Sequence, residues 1–209
     1  MKCPVIASSQ AFELLKIAEA DFPTRFGHFR IHGYEGHSAA GVEDAVVLTM
    51  GDIHSSPPLV RVHSQCLTGD VFHSLRCDCR AQLELALYMV GEEGRGIILY
   101  EHQEGRGIGL MNKLRAYELQ DGGADTVEAN EQLGFKADHR IYEMPGAVLK
   151  HLGVNQVRLL SNNPDKILAL EKAGVQVVER VPCIVEPMAS TEVYLRTKKE
   201  KMGHLLGEI

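Results

Sequence analysis

"AVLKHLGVNQVRLLSNNPDKILALEKAGVQVVERV", residues 147–181, decides the fold class. Apolar residues recur at helical spacing over 147–154, and that run stops at Gly153. "QVRLLS" (156–161) follows as a short apolar strand, "NNPDK" (162–166) as a turn, "ILALEKAGV" (167–175) as a helix and "QVVERV" (176–181) as a second strand. Strands alternating with helices are the pattern of an α/β architecture. The expected fold is a single domain with a mixed β-sheet layered with helices.

The same punctuation extends outward. "AVVLTM" (45–50) and "LVRVH" (59–63) read as strands around the loop "GDIHSSPP" (51–58). "AQLELALYMVG" (81–91) has helical spacing and a stop at Gly91. "GIILYEH" (96–102) is a continuous apolar run of strand length, as expected of a central strand. The glycines of "EGRGIGLMNKLRAYELQDGG" (104–123) lead into a helix that Gly122 and Gly123 end. "TEVYLRTKKEKMGHLLGEI" (191–209) reads as a basic helix with a frayed end. The start, "MKCPVIASSQAFELLKIAEADF" (1–22), reads as a helix packed on the body. It has no long apolar stretch of the kind a signal peptide carries. No Pro/Ser-rich linker interrupts the chain, so one domain is expected over 1–209, with 1–14 as an N-terminal extension.

Composition narrows the function classes. Apolar residues make up 44% and charged residues 24% of 209 positions, ordinary for a globular chain, and no apolar run approaches a membrane span. Five cysteines, an odd number, without an export signal argue against a disulfide framework and for a reducing, cytoplasmic setting. A net charge of −6 argues against a nucleic-acid binder, yet leaves room for a nucleotide in a local basic pocket.

Three of those cysteines fall within "HSQCLTGDVFHSLRCDCRAQL" (63–83), at Cys66, Cys77 and Cys79. Free cysteines are often small core hydrophobes, but Cys77 and Cys79 sit in the polar stretch "LRCDCRAQ". A structural zinc site closes on four ligands, whereas a catalytic one keeps three protein ligands and an open position. Three thiols match the second count. His54, His63, His73 or His102 as a fourth ligand leaves the first open.

Other stretches are weaker alone. "EHQEGRGIGL" (101–110) joins a strand to a helix through glycines that let backbone approach an anion, and Arg106, Lys113 and Arg115 favour a phosphate. It lacks the P-loop pattern. "FKADHRIY" (135–142) sets Asp138 and Arg140 two apart, the spacing of an ordinary surface pair or of two converging side chains. "SNNPDK" (161–166) begins where a strand ends, the place where open α/β sheets bind ligands.

Taken together, "RVHSQCLTGDVFHSLRCDC", "EGRGIGLMNKLRAYELQDGGADTVEAN", "LGFKADHR", "RLLSNNPDK" and "TKKEKMGHLL" resemble GTP cyclohydrolase II in order and spacing, over roughly residues 15–206. The resemblance implies an enzyme that opens the guanine imidazole ring of GTP and releases formate and pyrophosphate, at the start of riboflavin biosynthesis. It also implies zinc, magnesium with the triphosphate, and a cytoplasmic homodimer. The length leaves no room for the dihydroxybutanone phosphate synthase domain that precedes this one in some members, so a monofunctional form is expected. By the same resemblance, zinc would sit on Cys66, Cys77 and Cys79 and activate water against the guanine C8. Tyr117 matches a tyrosine near the ring-opening chemistry, and Asp138 the general base. Arg140 matches a residue at the α-phosphorus, as nucleophile or as electrostatic clamp. The nucleotide contacts fall on Arg61, Val62, His63, Ser64, Gln65, Gln82, Glu104, Gly105, Arg106, Thr126, Ser161 and Lys166. Gln65, Arg80 and Ile141 depart from the glutamate, glycine and aspartate common in the family, and Ser161 replaces a threonine. Two rival readings are a related hydrolase that stops at a formamide and a non-catalytic zinc-stabilised nucleotide binder.

Overall fold

The computed structural model describes residues 12–39, 41–135, 140, 142–186 and 191–206. Near the middle of its sheet runs β4 (Leu59–Ser64), whose first five residues are all buried. β4 lies between β5 (Gly96–Glu101) and β6 (Gln156–Leu160), parallel to both. β7 (Gln176–Val181) pairs parallel on the far side of β6. On the other flank β1 (Glu13–Thr24), β2 (Gly27–Ser38) and β3 (Gly41–Met50) form an antiparallel meander joined to β5. The result is one mixed sheet in the order β1-β2-β3-β5-β4-β6-β7.

Side-chain alternation gives the sheet two apolar faces. Val60, Val62, Ile97 and Leu99 pack with Met144, Val148, Leu149 and Leu170 on one face. Leu59, Ile98 and Leu160 pack with Ala86 and Val90 on the other. Each such fully buried aliphatic side chain contributes roughly 1.5–3 kcal/mol. The helices that supply these partners are α2 (Cys79–Glu93), α5 (Glu143–His151) and α6 (Pro164–Lys172). The short α1 (Leu67–Asp70) precedes α2, and a 3-10 turn (Glu104–Gly107), α3 (Leu110–Asp121) and α4 (Thr126–Gln132) lie between α2 and α5. α7 (Glu192–Met202) closes the described fold.

The strand–helix alternation over 147–181 stands, and α/β with a mixed sheet is the observed class. The N-terminal helix does not: residues 13–24 are an edge strand, turned at Arg25–Phe26 to pair Thr24 with Gly27. Nor does Gly91 end its helix. α2 continues to Glu93 and is capped by Gly94 in the left-handed region at φ 62°. Gly91 is there for close approach, since a Cβ on it would stand 2.2 Å from the Phe26 carbonyl oxygen. No helix among the described residues is long and apolar enough to cross a membrane.

Candidate active site

Parallel strands deliver their carboxyl ends to one place, and the candidate site is built there. Cys66 follows the end of β4 and precedes α1; Cys79 opens α2, with Cys77 just before it. Their three sulfurs lie within 4.8 Å of one another, and those of Cys66 and Cys77 are 3.6 Å apart. A tetrahedral zinc with thiolates at about 2.3 Å spaces its sulfurs by about 3.8 Å, so the trio fits zinc. Without a cation the sulfurs compete for one charge. Hydrogen bonds from Cys77 and Cys79 hold the Cys66 thiol far below its usual range. In return, the bond to Cys66 pushes Cys77 up to about 11 and holds Cys79 well above its usual range. Gly69 backs the cluster: a Cβ there would lie 2.8 Å from Cys77 Sγ and 3.2 Å from Cys66 Sγ.

No histidine or carboxylate joins the trio among the described residues. His54, His73 and His102 are exposed. His63 is buried against Asp70, 3.2 Å from both carboxylate oxygens, and stacks on Tyr100 at 5.4 Å between centroids. Burial lowers the His63 pKa. Asp70 also accepts from the Cys66 amide at 3.0 Å and from Tyr100 Oη at 2.8 Å, so it fixes the first thiol through its backbone. Arg80, at a position where glycine was expected, donates to the Asp70 carbonyl at 2.7 Å and to Glu84 at 2.9 Å. The arginine thus ties α1 to α2.

Beside the thiols opens a cleft of about 1080 Å³, the solvent in its mouth included. Arg61, His63, Ser64, Gln65, Gln82, Glu104, Gly105, Arg106, Thr126, Ser161 and Lys166 all line it, with the three cysteines, Tyr117 and Arg140. Val62 does not: the strand alternation that turns Arg61 and His63 to the cleft turns Val62 into the core, and only its carbonyl faces Lys166 Nζ, at 2.8 Å. Asp138 lies outside the described residues. Arg115 is exposed and donates to Asn112 rather than reaching the cleft.

Several of these side chains hold one another. Arg61 donates to Gln82 Oε1 at 2.7 Å and to the Leu160 carbonyl at 3.1 Å. Gln82 in turn donates to Asp78, which pairs with Lys198 at 2.9 Å. Glu104 accepts from the Leu67 amide at 2.7 Å, the Gly105 amide at 2.9 Å and Lys113 at 2.8 Å. Ser161 Oγ accepts from the Asn163 amide at 3.1 Å, and Arg140 donates to Ser64 at 3.4 Å. Tyr117 Oη lies 3.2 Å from Thr68 Oγ1, under the Arg76 guanidinium at 4.8 Å, and burial raises its pKa.

Arg106 is different. It takes φ +62°, rare for a residue with a side chain, directly after Gly105 at the same φ. Both its terminal guanidinium nitrogens are buried without a partner among the described residues. Backbone strain of this kind persists where surrounding structure over-determines it, and clusters at ligand sites. The cleft's cations also act on His204. Burial, followed by Lys198, Arg140, Lys166 and Arg106, pushes its pKa down to about 3.

Lys113, Lys198, Tyr194 and His204 also line the cleft. The sequence placed Lys113 near a phosphate but gave no sign that it touches a thiol, and the other three were read only as part of a basic tail. α4 carried a legible signal that went unread, the reciprocal cap of Asp125 and Glu128.

Known proteins share this arrangement of sequence. The family model "GTP cyclohydrolase II" matches residues 15–182. The GTP cyclohydrolase-2 of Escherichia coli O9:H4 (strain HS) is 56% identical over 197 residues, covering 94% of this chain and all of the relative. That of Shigella boydii serotype 18 gives the same identity and coverage. Among solved structures, a two-domain 3,4-dihydroxy-2-butanone 4-phosphate synthase from A. baumannii is a loose likeness at TM-score 0.43 and 15% identity, over 83% of this chain and 42% of its own. With a family model spanning most of the chain and relatives matched along their full length, the chain belongs to the GTP cyclohydrolase II family.

Proposed function

We propose that this chain hydrolyses GTP to 2,5-diamino-6-(5-phospho-ribosylamino)pyrimidin-4(3H)-one, formate and pyrophosphate, the GTP cyclohydrolase II reaction that begins riboflavin biosynthesis. One observation carries the reading: a thiol trio of zinc-binding geometry and the unpartnered Arg106 guanidinium open into the same cleft. Metal chemistry at a base and cationic binding of a phosphate are thereby brought within one substrate's length.

Cys66, Cys77 and Cys79 would hold the zinc, which when bound polarises water and lowers its pKa. Arg106, Lys166 and Arg140 then receive the triphosphate, with magnesium accompanying it. The Gln65 amide carbonyl accepts from the guanine N1 or N2 donors that adenine lacks at those positions. A neutral acceptor does this more weakly than the family's usual carboxylate, since charge-assisted bonds are roughly twice as strong. Tyr117, hydrogen-bonded to Thr68, is placed to hold a proton beside the thiols. Asp138 is assigned the general base by family position alone. Arg140, beside Ser64 and over the Tyr142 ring at 5.5 Å, suits a clamp on the α-phosphate. A guanidinium stays protonated, which favours electrostatic stabilisation over nucleophilic attack. The remaining family traits are carried with this reading: one domain, a cytoplasmic homodimer and no nucleic-acid or membrane partner.

The test is the product from GTP by mass, with formate and pyrophosphate counted. One of each per GTP is expected, and Cys77→Ser should lose the zinc and the ring opening together. A product that keeps the C8 carbon as a formamide would favour the enzyme that stops early. Unchanged GTP in a zinc-loaded protein would favour the non-catalytic binder and overturn the proposal.

A further inference from the structure

Three thiolates raise a difficulty for the function just proposed. They donate much negative charge, and a zinc so ligated is a poorer Lewis acid than one held by three neutral imidazoles. Lys113 stands where that difficulty would be answered. Its Nζ lies 3.1 Å from Cys66 Sγ, which makes it an N–H donor to a sulfur of the trio. The same nitrogen donates to Glu104 Oε1 at 2.8 Å, and the other oxygen of that carboxylate accepts from the Leu67 amide at 2.7 Å, one residue past Cys66. The ammonium is therefore locked to the backbone of the very ligand it touches. The side chains of Lys113 and Glu104 are only 12% and 8% exposed, so water does not compete strongly for the contact.

We propose that Lys113 is a positioning residue of the metal centre, whose N–H donated to Cys66 Sγ withdraws charge from that thiolate and keeps the bound metal electrophilic. The inference rests on the zinc reading above. Its action is local, because Lys113 and Glu104 together carry no net charge. What the sulfur meets is one hydrogen-bond donor at close range, and hydrogen bonds to ligating sulfurs are a recognised means of tuning a metal centre. Glu104, assigned by family position to the nucleotide, is on this geometry the part that aims the ammonium.

Cobalt(II) loaded in place of zinc reports directly on the thiolates, through their charge-transfer absorption. In full-length Lys113→Met, a more electron-rich sulfur should move that band to lower energy. The kcat should fall by about 10–100-fold, the range for losing such an outer partner of a metal ligand, with KM for GTP within about twofold. Lys113→Arg keeps a cationic donor and should restore most of the band position and part of kcat. Should Lys113→Met not fold because Glu104 is left buried and unpaired, Lys113→Met/Glu104→Gln removes the donor without stranding a charge and must show the same band shift. An unshifted band in whichever variant folds overturns the proposal. So does a loss carried by KM alone, which would make Lys113 a ligand of the substrate. A parent protein that takes up neither zinc nor cobalt would instead sink the metal reading beneath it.

Discussion

Gly69 shows the site at its finest scale. Its Cα faces the thiols with only hydrogen between, and an alanine methyl would stand 2.8 Å from Cys77 Sγ and 3.2 Å from Cys66 Sγ. Non-bonded heavy atoms prefer about 3.5–4.0 Å, so a sulfur must move. Gly69→Ala should therefore leave the circular dichroism of the fold unchanged, while bound zinc falls well below one per chain and formate release drops at least about tenfold, the lower end for a disturbed metal site. A chelator-competition titration that finds parental zinc affinity would contradict the described packing. The thiols themselves were legible in the sequence as a candidate zinc site, because two of them sit in a polar stretch and three match a metal centre with an open position. Gly69 and Lys113 were not. Spacing records distance along the chain, and Lys113 meets Cys66 from 47 positions away on a different helix.

At the scale of elements, legibility follows how much an element owes to its own sequence. β6, α6 and β7 were readable because each carries its apolar pattern and Asn163, Pro164 and Gly174 punctuate them. β1 was misread because "ELLKIAEADF" favours a helix, and its strand form comes from pairing with β2 across eleven partnered positions rather than from burial. β2 went unread because its glycines and histidines break the strand signature. The basic helix of the tail was legible as α7, but not what its charge does. Lys198 reaches Asp78, between two thiols, with side chains 11% and 5% exposed. Removing one member of a buried pair costs about 3–5 kcal/mol, because the other charge is left uncompensated. For a chain of this size that lowers the melting temperature by roughly 10 °C. Lys198→Met should show this loss in a thermal melt, and Lys198→Met/Asp78→Asn should recover part of it. A single variant as stable as the parent would mean that α7 is not anchored through this pair.

Over the whole molecule, charge is distributed against its average. The chain carries a net −6, yet among the described residues its cleft is lined by Arg61, Arg76, Arg106, Lys113, Arg140, Lys166 and Lys198 against the carboxylate of Glu104. A cleft dominated by one sign of charge, with low-dielectric walls, concentrates an oppositely charged ligand. The composition left room for a nucleotide in a local basic pocket but could not place that pocket, since a sum over the chain cannot reveal that folding gathers the cations at the ends of parallel strands. The consequence is a salt dependence located in binding. Between about 0.1 and 1 M potassium chloride the screening length shrinks from about 10 Å to about 3 Å. KM for GTP should then rise roughly tenfold, the lower end of the enhancement such focusing gives, while kcat stays within about twofold. Guanosine, which keeps the base and lacks the phosphates, supplies the control as a competitive inhibitor. Its inhibition constant should stay flat over the same series, because guanosine carries no charge for the salt to screen. If the guanosine constant climbs in step with KM, salt is acting on the protein as a whole. The cationic lining would then not be what draws the triphosphate in.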